Sequence, residues 1–251
     1  MPLHAEREGT GQPIILVHGF TQTGRCWGPA AAELARDHEV IRIDAPGHGR
    51  SVGVHADLGT GGRLIADEGG EATYLGYSMG ARFCLHLALS APELVRGLVL
   101  VSGTAGIEDP AERAARREQD LRTAARIRAG GVEAFLEQWL AQPLFTGLAP
   151  ERAFRQERLA NTVEGLSSSL EQAGTGCQDP SWHRLSGLAM PVLLVAGQRD
   201  EKFSALAVRM AAAIGDNATS ALVPDAGHAA HLERPDDFLA VLRPWLTRHG
   251  L

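Results

Sequence analysis

The sequence predicts an α/β fold in which a mostly parallel sheet is flanked by helices and carries an inserted helical cap. Short, strongly apolar runs alternate with longer stretches rich in alanine and leucine, as expected of parallel strands joined by crossover helices. Several apolar runs lack polar alternation, which is typical of strands covered by helices on both faces. The strand patterns stop between residues 106 and 185, where helical patterns remain.

The predicted elements alternate from the amino terminus onwards. Apolar runs predict strands at Pro13–Val17, Glu39–Ile43, Ala72–Leu75, Gly97–Val101, Pro191–Ala196 and Thr219–Val223. Helical periodicity is found at Trp27–Asp37, Leu58–Asp67, Met79–Leu89, Ser204–Ile214 and Pro235–Arg248. This order favours βαβ units over a sandwich or a helix bundle.

The segment without strand patterns predicts the cap. It opens with a charged helix start at 108–113, and proline divides it at Pro143, Pro150 and Pro180. We therefore predict a core formed by residues 1–105 and 186–251, with residues 106–185 inserted as the helical cap.

Composition and charge disfavour several classes of protein. The 251 residues are 44% hydrophobic, and a formal net charge of −6 argues against nucleic acid or an anionic membrane as the main partner. No stretch approaches the roughly 20 apolar residues of a membrane span, and Met1–Gly11 has no signal-peptide pattern. Cys26, Cys84 and Cys177 are widely spaced and fit a reducing compartment without metal-like spacing. We expect a cytoplasmic monomer.

One serine lies in a context typical of a nucleophile. Gly76-Tyr77-Ser78-Met79-Gly80 matches G-x-S-x-G between an apolar strand run and a helical pattern, the context that a nucleophile elbow requires. The flanking glycines allow a strained turn that exposes the hydroxyl. We predict Ser78 to be catalytic; the alternative is a plain strand-to-helix turn.

A serine hydroxyl needs an imidazole to take its proton and a carboxylate to orient that imidazole. His228 lies in a loop of small residues just past the last predicted strand, and Asp200 ends the turn after the preceding strand. We predict these two as the partners of Ser78. The weaker candidates are His231 and His18 for the base, and Glu201 and Asp225 for the carboxylate.

The same chemistry needs backbone N–H groups aimed at the developing negative charge. One donor is expected from Met79, directly after the serine. The other is expected from Phe20 in His18-Gly19-Phe20, which follows the first strong strand and contains a glycine that permits close approach.

These motifs resemble the α/β-hydrolase superfamily over essentially the whole chain, including Asp44–Ser51 after the second predicted strand. The chain order Ser78, Asp200, His228 is the order of that superfamily. Within it, the chain is similar to the 2-succinyl-6-hydroxy-2,4-cyclohexadiene-1-carboxylate synthases, lyases of menaquinone biosynthesis. The segments that carry this narrower resemblance are 18–20, 76–82, Glu112-Arg113 with Arg116, Trp139 with 143–145, 158–161 and 197–203. Ala81 departs from the family, whose members often have a second glycine there.

The resemblance implies a lyase that eliminates pyruvate from a 2-succinyl-5-enolpyruvyl-6-hydroxy-3-cyclohexene-1-carboxylate substrate, without a cofactor or metal. The serine relay then acts as a base, and no acyl-enzyme forms. Tyr77, Trp139 and Phe145 are expected to wall the pocket. The alternative is a serine hydrolase, a carboxylesterase or C–C bond hydrolase, in which Ser78 is the nucleophile. A non-catalytic binding protein on the same fold is disfavoured by the complete set of Ser, His and Asp.

The arginines favour the lyase over a simple esterase. A small substrate with several carboxylates needs separate cationic anchors, and the planar guanidinium suits carboxylates. Arg82 lies one helical turn after Ser78 and is expected on the same face. The resemblance selects Arg116 and Arg158 from the arginine-rich cap. The alternative is that all three are solvated surface residues.

Overall fold

The computed structural model describes all 251 residues and contains one seven-stranded sheet. The strands are β1 (Ala5–Glu8), β2 (Gln12–Val17), β3 (His38–Ile43), β4 (Ala72–Tyr77), β5 (Val95–Val101), β6 (Val192–Gly197) and β7 (Ala218–Val223). Their order across the sheet is β1-β3-β2-β4-β5-β6-β7, and every neighbouring pair is parallel except β1 and β3. The predicted fold class is confirmed.

Nine α-helices connect or follow the strands. They are α1 (Gly28–Leu34), α2 (Leu58–Gly69), α3 (Met79–Ser90), α4 (Pro110–Leu140), α5 (Arg155–Arg158), α6 (Val163–Ala173), α7 (Glu201–Ile214), α8 (Ala230–Glu233) and α9 (Pro235–His249). Polar side chains begin several of them: Asp57, Asp109, Thr162 and Asp200 each accept a hydrogen bond from an N–H group of the first helical turn. No helix combines the length and the apolar character that a membrane crossing requires.

The first strand was not predicted. Residues Ala5–Glu8 read Ala-Glu-Arg-Glu, a polar sequence that satisfies no apolar pattern. This strand lies at the edge of the sheet, antiparallel to β3, and Glu6 forms an ion pair with Arg42 across the two strands. Charged edge strands of this kind limit pairing between molecules. The predicted helix at 27–37 is also shorter, because α1 ends at Leu34.

Two apolar layers hold the sheet between the helices. Side chains of β2 alternate between them, with Ile15 and Val17 on one face and Ile14 and Leu16 on the other. The first layer packs against α2, α3 and α7, and the second packs against α1 and α9. Because both faces of the central strands are covered, β4 and β6 are buried along their whole length and read as continuous apolar runs.

The chain from β5 to β6 contains only helices and short 3-10 turns. Its longest element, α4, is broken at Gly131, where φ is +79° and ψ is 171°. Glycine adopts this backbone conformation without the penalty that other residues incur. The boundaries of the cap at residues 106 and 185 stay a prediction.

Candidate active site

Ser78 occupies a strained turn between β4 and α3. Its φ of +52° and ψ of −103° are rare for a residue with a side chain. The turn fits only because its neighbours are glycines: a Cβ on Gly76 would lie 2.4 Å from the Gly80 carbonyl oxygen. A Cβ on Gly80 would lie 2.0 Å from the carbonyl oxygen of Val17 in β2. The G-x-S-x-G motif is therefore set by close approach of three backbone segments.

The side chains of Ser78, His228 and Asp200 form a continuous hydrogen-bonded series. Nε2 of His228 lies 3.1 Å from Oγ of Ser78, and Nδ1 of His228 lies 2.8 Å from Oδ2 of Asp200. With the proton on Nδ1, which Asp200 favours, Nε2 is free to accept the serine proton. This arrangement can abstract a proton from a substrate or activate the hydroxyl for attack.

The sheet brings these three residues together. Asp200 follows β6 and begins α7, while His228 follows β7, the neighbouring strand. The ring of Phe203 packs 4.6 Å from the His228 ring, measured between centroids. At the end of β5, the hydroxyl of Ser102 donates a hydrogen bond of 2.8 Å to the carbonyl oxygen of His228. Both faces of the loop are thus held by neighbouring elements.

The weaker candidates occupy other positions. His18 accepts a hydrogen bond from the Ala45 N–H at 3.0 Å, and its burial lowers its pKa to about 4. His231 packs between the rings of Trp27 and Tyr77, with centroids 4.5 Å from each, and burial lowers its pKa to about 3. Both side chains are fully buried, and neither contacts Ser78.

The two alternative carboxylates lie at the surface. Glu201 is exposed on the first turn of α7. Asp225 forms an exposed ion pair of 2.8 Å with Arg199, in a turn where its φ is +56°. Neither residue contacts the imidazole of His228.

The two backbone N–H groups predicted as donors, those of Phe20 and Met79, have no backbone partners. Met79 is the first residue of α3, so its N–H has no carbonyl partner within the helix. The N–H of Phe20 donates to no backbone carbonyl, although the same turn contains a bond from the Gln22 N–H to the Gly19 carbonyl. Gly19 allows the ring of Tyr77 to pack directly on this turn, since a Cβ there would lie 2.7 Å from the ring.

A cavity of about 650 Å³ opens above the serine. Every predicted site residue lines it except Asp200, which lies behind His228: the lining includes Phe20, Tyr77, Ser78, Met79, Arg82, Arg116, Trp139, Arg158 and His228. Tyr77 is buried, which raises its pKa, so its hydroxyl stays protonated. The indole N–H of Trp139 is buried without a protein partner, which leaves a donor for a bound molecule.

Arg82 and Arg116 form one cationic wall of the cavity. Arg82 is buried and donates to the carbonyl oxygen of Ala173 at 2.6 Å. Burial, and then the nearby Arg116, lower the pKa of Arg82 to about 10, so the side chain remains charged at neutral pH. Arg116 pairs with the buried carboxylate of Asp120 at 2.8 Å. Among Arg82, Arg116 and Asp120, one net positive charge therefore remains.

Arg158 supplies a second cationic group, on α5. Only 1% of its surface is exposed. Its Nε donates to the carbonyl oxygen of Ala153 at 2.6 Å, and Nη1 donates to the Thr21 hydroxyl. Nη2 is buried without a partner in the protein. None of the three predicted arginines is therefore a plain solvated residue.

Several residues of the site were not predicted individually. Ser102 follows a buried strand and lies at the same edge of the sheet as Ser78. Its position directly after a strand is the sequence feature that could have identified it. Lys202 also lines the cavity, in the first turn of α7. No group of three or more His, Cys, Asp or Glu side chains is arranged to hold a metal ion.

The strained serine, its partners and the sheet order are those of an α/β-hydrolase. Consistent with this, the profile of the Alpha/beta hydrolase family matches residues 14–241, and the chain belongs to that family. Within it, the chain is an enzyme similar to the 2-succinyl-6-hydroxy-2,4-cyclohexadiene-1-carboxylate synthases. The synthase of Salmonella schwarzengrund is 33% identical and aligns over 97% of this chain and 100% of its own length.

Solved structures give the same picture. MenH from S. aureus superposes with a TM-score of 0.90 at 30% identity, covering 99% of both chains. A thermophilic esterase from Thermogutta terrifontis superposes with a TM-score of 0.84 at 27% identity, covering 99% of this chain and 94% of that one. The family resemblance inferred from the sequence is confirmed.

Proposed function

We propose that this enzyme is a lyase that eliminates pyruvate from 2-succinyl-5-enolpyruvyl-6-hydroxy-3-cyclohexene-1-carboxylate. The observation that carries the proposal is the meeting of a bonded Ser–His–Asp series with buried guanidinium groups in one cavity. A simple ester pocket is mostly apolar and has no need of buried arginines. The names of the Salmonella and S. aureus relatives support the same reaction.

In the proposed reaction, Ser78, His228 and Asp200 act together as a base. The hydroxyl of Ser78 gives its proton to Nε2 of His228 as it takes a proton from the ring carbon beside the succinyl ketone. The electron pair of that C–H bond first forms an enolate. The enolate then forms a new ring double bond, the existing ring double bond shifts by one position, and the C–O bond to the enolpyruvyl group breaks. Enolpyruvate leaves, takes up a proton and becomes pyruvate. No acyl-enzyme forms.

The N–H groups of Phe20 and Met79 are proposed to stabilise the enolate oxygen. Donors of this kind act where negative charge develops, and removing one typically costs roughly 3 kcal/mol of transition-state stabilisation. Both groups are free of backbone partners in the positions described above. The same pair would serve a tetrahedral intermediate equally well, so it does not decide between the two reaction types.

Arg82, Arg116 and Arg158 are proposed to bind the substrate carboxylates, with Tyr77 and Trp139 forming the wall around the ring. The first two arginines share a wall with Asp120, whereas Arg158 lies on another cap helix with a free Nη2 donor. Two separated cationic sites suit a substrate with several carboxylates better than one cluster would. The small anionic substrate is the expected partner. We further propose that the enzyme is a cytoplasmic monomer that binds neither nucleic acid nor membranes.

A serine hydrolase is the second candidate. The strained backbone of Ser78 and the 27% identical esterase structure favour it. In that reaction Ser78 attacks a carbonyl carbon, and His228 protonates the leaving group.

The two functions are separated by assaying pyruvate release from the enolpyruvyl substrate beside a panel of neutral p-nitrophenyl esters. We expect pyruvate release without a burst of nitrophenol. Ser78→Ala should lower that rate by about a thousandfold, because a positioned base contributes roughly 10²–10⁴. Ser220→Ala, on the exposed face of β7, is the matched control. Rapid ester turnover with an acyl-enzyme burst and no pyruvate would establish the hydrolase instead.

A further inference from the structure

Glu233 holds the backbone on both sides of the catalytic histidine. Its Oε2 accepts a hydrogen bond from the Gly227 N–H at 2.7 Å, and its Oε1 accepts one from the Ala229 N–H at 3.0 Å. These two amides flank His228 in the chain. One carboxylate therefore fixes the loop immediately before and immediately after the imidazole-bearing residue.

The carboxylate of Glu233 is buried and has no cationic partner. Only 7% of the residue is exposed, and no Lys, Arg or His nitrogen lies within salt-bridge distance of it. Burial of an unpaired charge is costly unless hydrogen bonds satisfy it. Two backbone amides provide that stabilisation here.

The cap rests on the same carboxylate. A Cβ on Gly147 would lie 2.1 Å from Oε2 of Glu233, so a larger residue there would have to displace this carboxylate. Gly147 is exposed and follows the 3-10 turn Pro143–Phe145, whose Leu144 and Phe145 line the cavity. The ring of Phe145 packs edge-on, with its centroid 6.5 Å from that of His228. Glu233 thus contacts the histidine loop and the cap turn that faces the histidine.

We propose that Glu233 is a positioning residue, which sets the His228 loop through both neighbouring amides and seats the cap turn at Gly147 against that loop. The proposal rests on the function proposed above only for its activity assay. Ser102 holds the loop from the opposite side through the His228 carbonyl, but it carries no charge. Glu233 therefore contacts both the His228 loop and the cap turn at Gly147, and it brings a negative charge to that junction.

Other charged and titratable groups also lie around His228. Asp200 bonds the imidazole directly. Arg152 donates to the carbonyl oxygen of Glu233 at 2.9 Å, not to its carboxylate. The remaining groups on the packed elements are Tyr77, Arg158, His231 and Lys202. All of them stay unchanged in the variants below.

The first test is Glu233→Gln, which keeps the size of the side chain but removes its charge and one acceptor. We expect kcat for pyruvate release to fall at least tenfold while KM changes less than twofold. Glu201→Gln, an exposed acid next to Asp200, is the matched control and should change neither.

The second test leaves Glu233 in place. Gly147→Ala inserts a methyl group against Oε2 from the exposed cap turn, so it should lower kcat several-fold without unfolding the chain. Gly130→Ala, another exposed cap glycine, has no atom within 4 Å of its Cβ and is the control. If Glu233→Gln fails to fold, this pair of variants decides the question alone.

A third measurement does not depend on turnover. The low-field proton NMR resonance of the His228–Asp200 hydrogen bond reports the geometry of that bond in the free enzyme, and Glu233→Gln should shift and broaden this resonance. Wild-type enzyme without pyruvate release would overturn the proposed function but leave this measurement standing. A Glu233→Gln enzyme with lower thermal stability, yet wild-type kcat and an unchanged low-field resonance, would overturn the positioning role.

Discussion

The backbone N–H of Phe203 donates a hydrogen bond of 3.2 Å to Oδ1 of Asp200, whose other oxygen bonds the imidazole of His228. The carboxylate that orients the histidine therefore also caps helix α7. It follows that substitutions of Asp200 affect two properties, the orientation of the imidazole and the stability of the helix, and that these can be separated by the choice of residue.

Asp200→Asn should keep the helix cap and lose activity. Its amide oxygen can accept from the Phe203 N–H, but its NH₂ group then faces Nδ1 of His228 and favours the wrong tautomer. We expect kcat to fall by about 10⁴ with little change in unfolding free energy. Asp200→Ala should lose similar activity and, in addition, about 1 kcal/mol of stability in urea unfolding. Equal stability of the two variants would contradict the capping role.

Lys202 should contribute to binding of the anionic substrate. Of the 24 basic residues in the chain, 23 are arginine, and this one lysine lines the cavity. It lies in the first turn of α7, where the helix dipole disfavours a cation by about 0.3–1 kcal/mol. We expect Lys202→Met to raise KM about tenfold, which corresponds to about 1.4 kcal/mol, and to leave kcat nearly unchanged.

Two controls accompany this variant. Lys202→Arg keeps the charge and should retain a KM within about threefold of wild type. Reductive methylation modifies the one lysine and the amino terminus without removing charge, so it should also preserve binding. If Lys202→Met binds the substrate as wild type does, the lysine is only a surface residue.

Three buried histidines should make the protein sensitive to acid. Burial lowers the pKa to about 4 for His18 and to about 3 for His48 and His231, against 6.5 as the ordinary value. The unfolded chain therefore binds more protons between these pH values, and stability falls as pH drops below about 6.5. Each histidine contributes a slope of about 1.4 kcal/mol per pH unit over that range.

This dependence is measured by urea unfolding between pH 7 and pH 4. We expect the loss of stability to be steep, since the three effects add. His231→Phe, which keeps an aromatic ring between Trp27 and Tyr77, should flatten the pH dependence by about one histidine. A free energy of unfolding that does not change over this range would contradict the buried neutral state.

Gly80→Ala should be among the most damaging small substitutions in the chain. The new methyl group would lie 2.0 Å from the Val17 carbonyl oxygen, so β2 or α3 must move. Overpacking of this kind costs about 1–3 kcal/mol, and here it also displaces Ser78, so activity should fall with stability. Gly130→Ala, in open space on α4, should be neutral or stabilising by about 0.5–1 kcal/mol. Equal stability of the two variants would show that the elbow is more open than described.

The parallel part of the sheet was predictable because its strands are buried on both faces. Every apolar run from Pro13–Val17 to Thr219–Val223 corresponds to a strand, and the side chains of the central strands enter one of two covered layers, whereas the edge strand β7 is partly exposed. Strand β1 was not predictable, because Ala5–Glu8 is held by pairing with β3 and by charged side chains. Its sequence carries no apolar periodicity that distinguishes it from a loop.

For the site, the sequence predicts the residues that lie in local motifs and misses those that contact distant backbone. Ser78, Asp200 and His228 were predictable since each follows a strand and the carboxyl ends of parallel strands share an edge. Ser102 and Glu233 form hydrogen bonds with backbone groups of the His228 loop. Every residue has such backbone groups, so no sequence motif indicates these two bonds. For Arg158, the cationic role was predicted. Its bond to Thr21, which lies 137 residues away in a turn with φ of +70°, was not.

The break in α4 at Gly131 gives the cap a bend with open space on its outer side. Neither Gly130 nor Gly131 has an atom within 4 Å of where a side chain would begin. The three native cysteines are buried or half-buried, so a cysteine introduced here would be the most accessible thiol. A fluorophore attached through Gly130→Cys would therefore lie at an open bend, on a residue that does not line the cavity. From there it would report, in real time and during turnover, any change in the angle between the parts of α4 before and after Gly131.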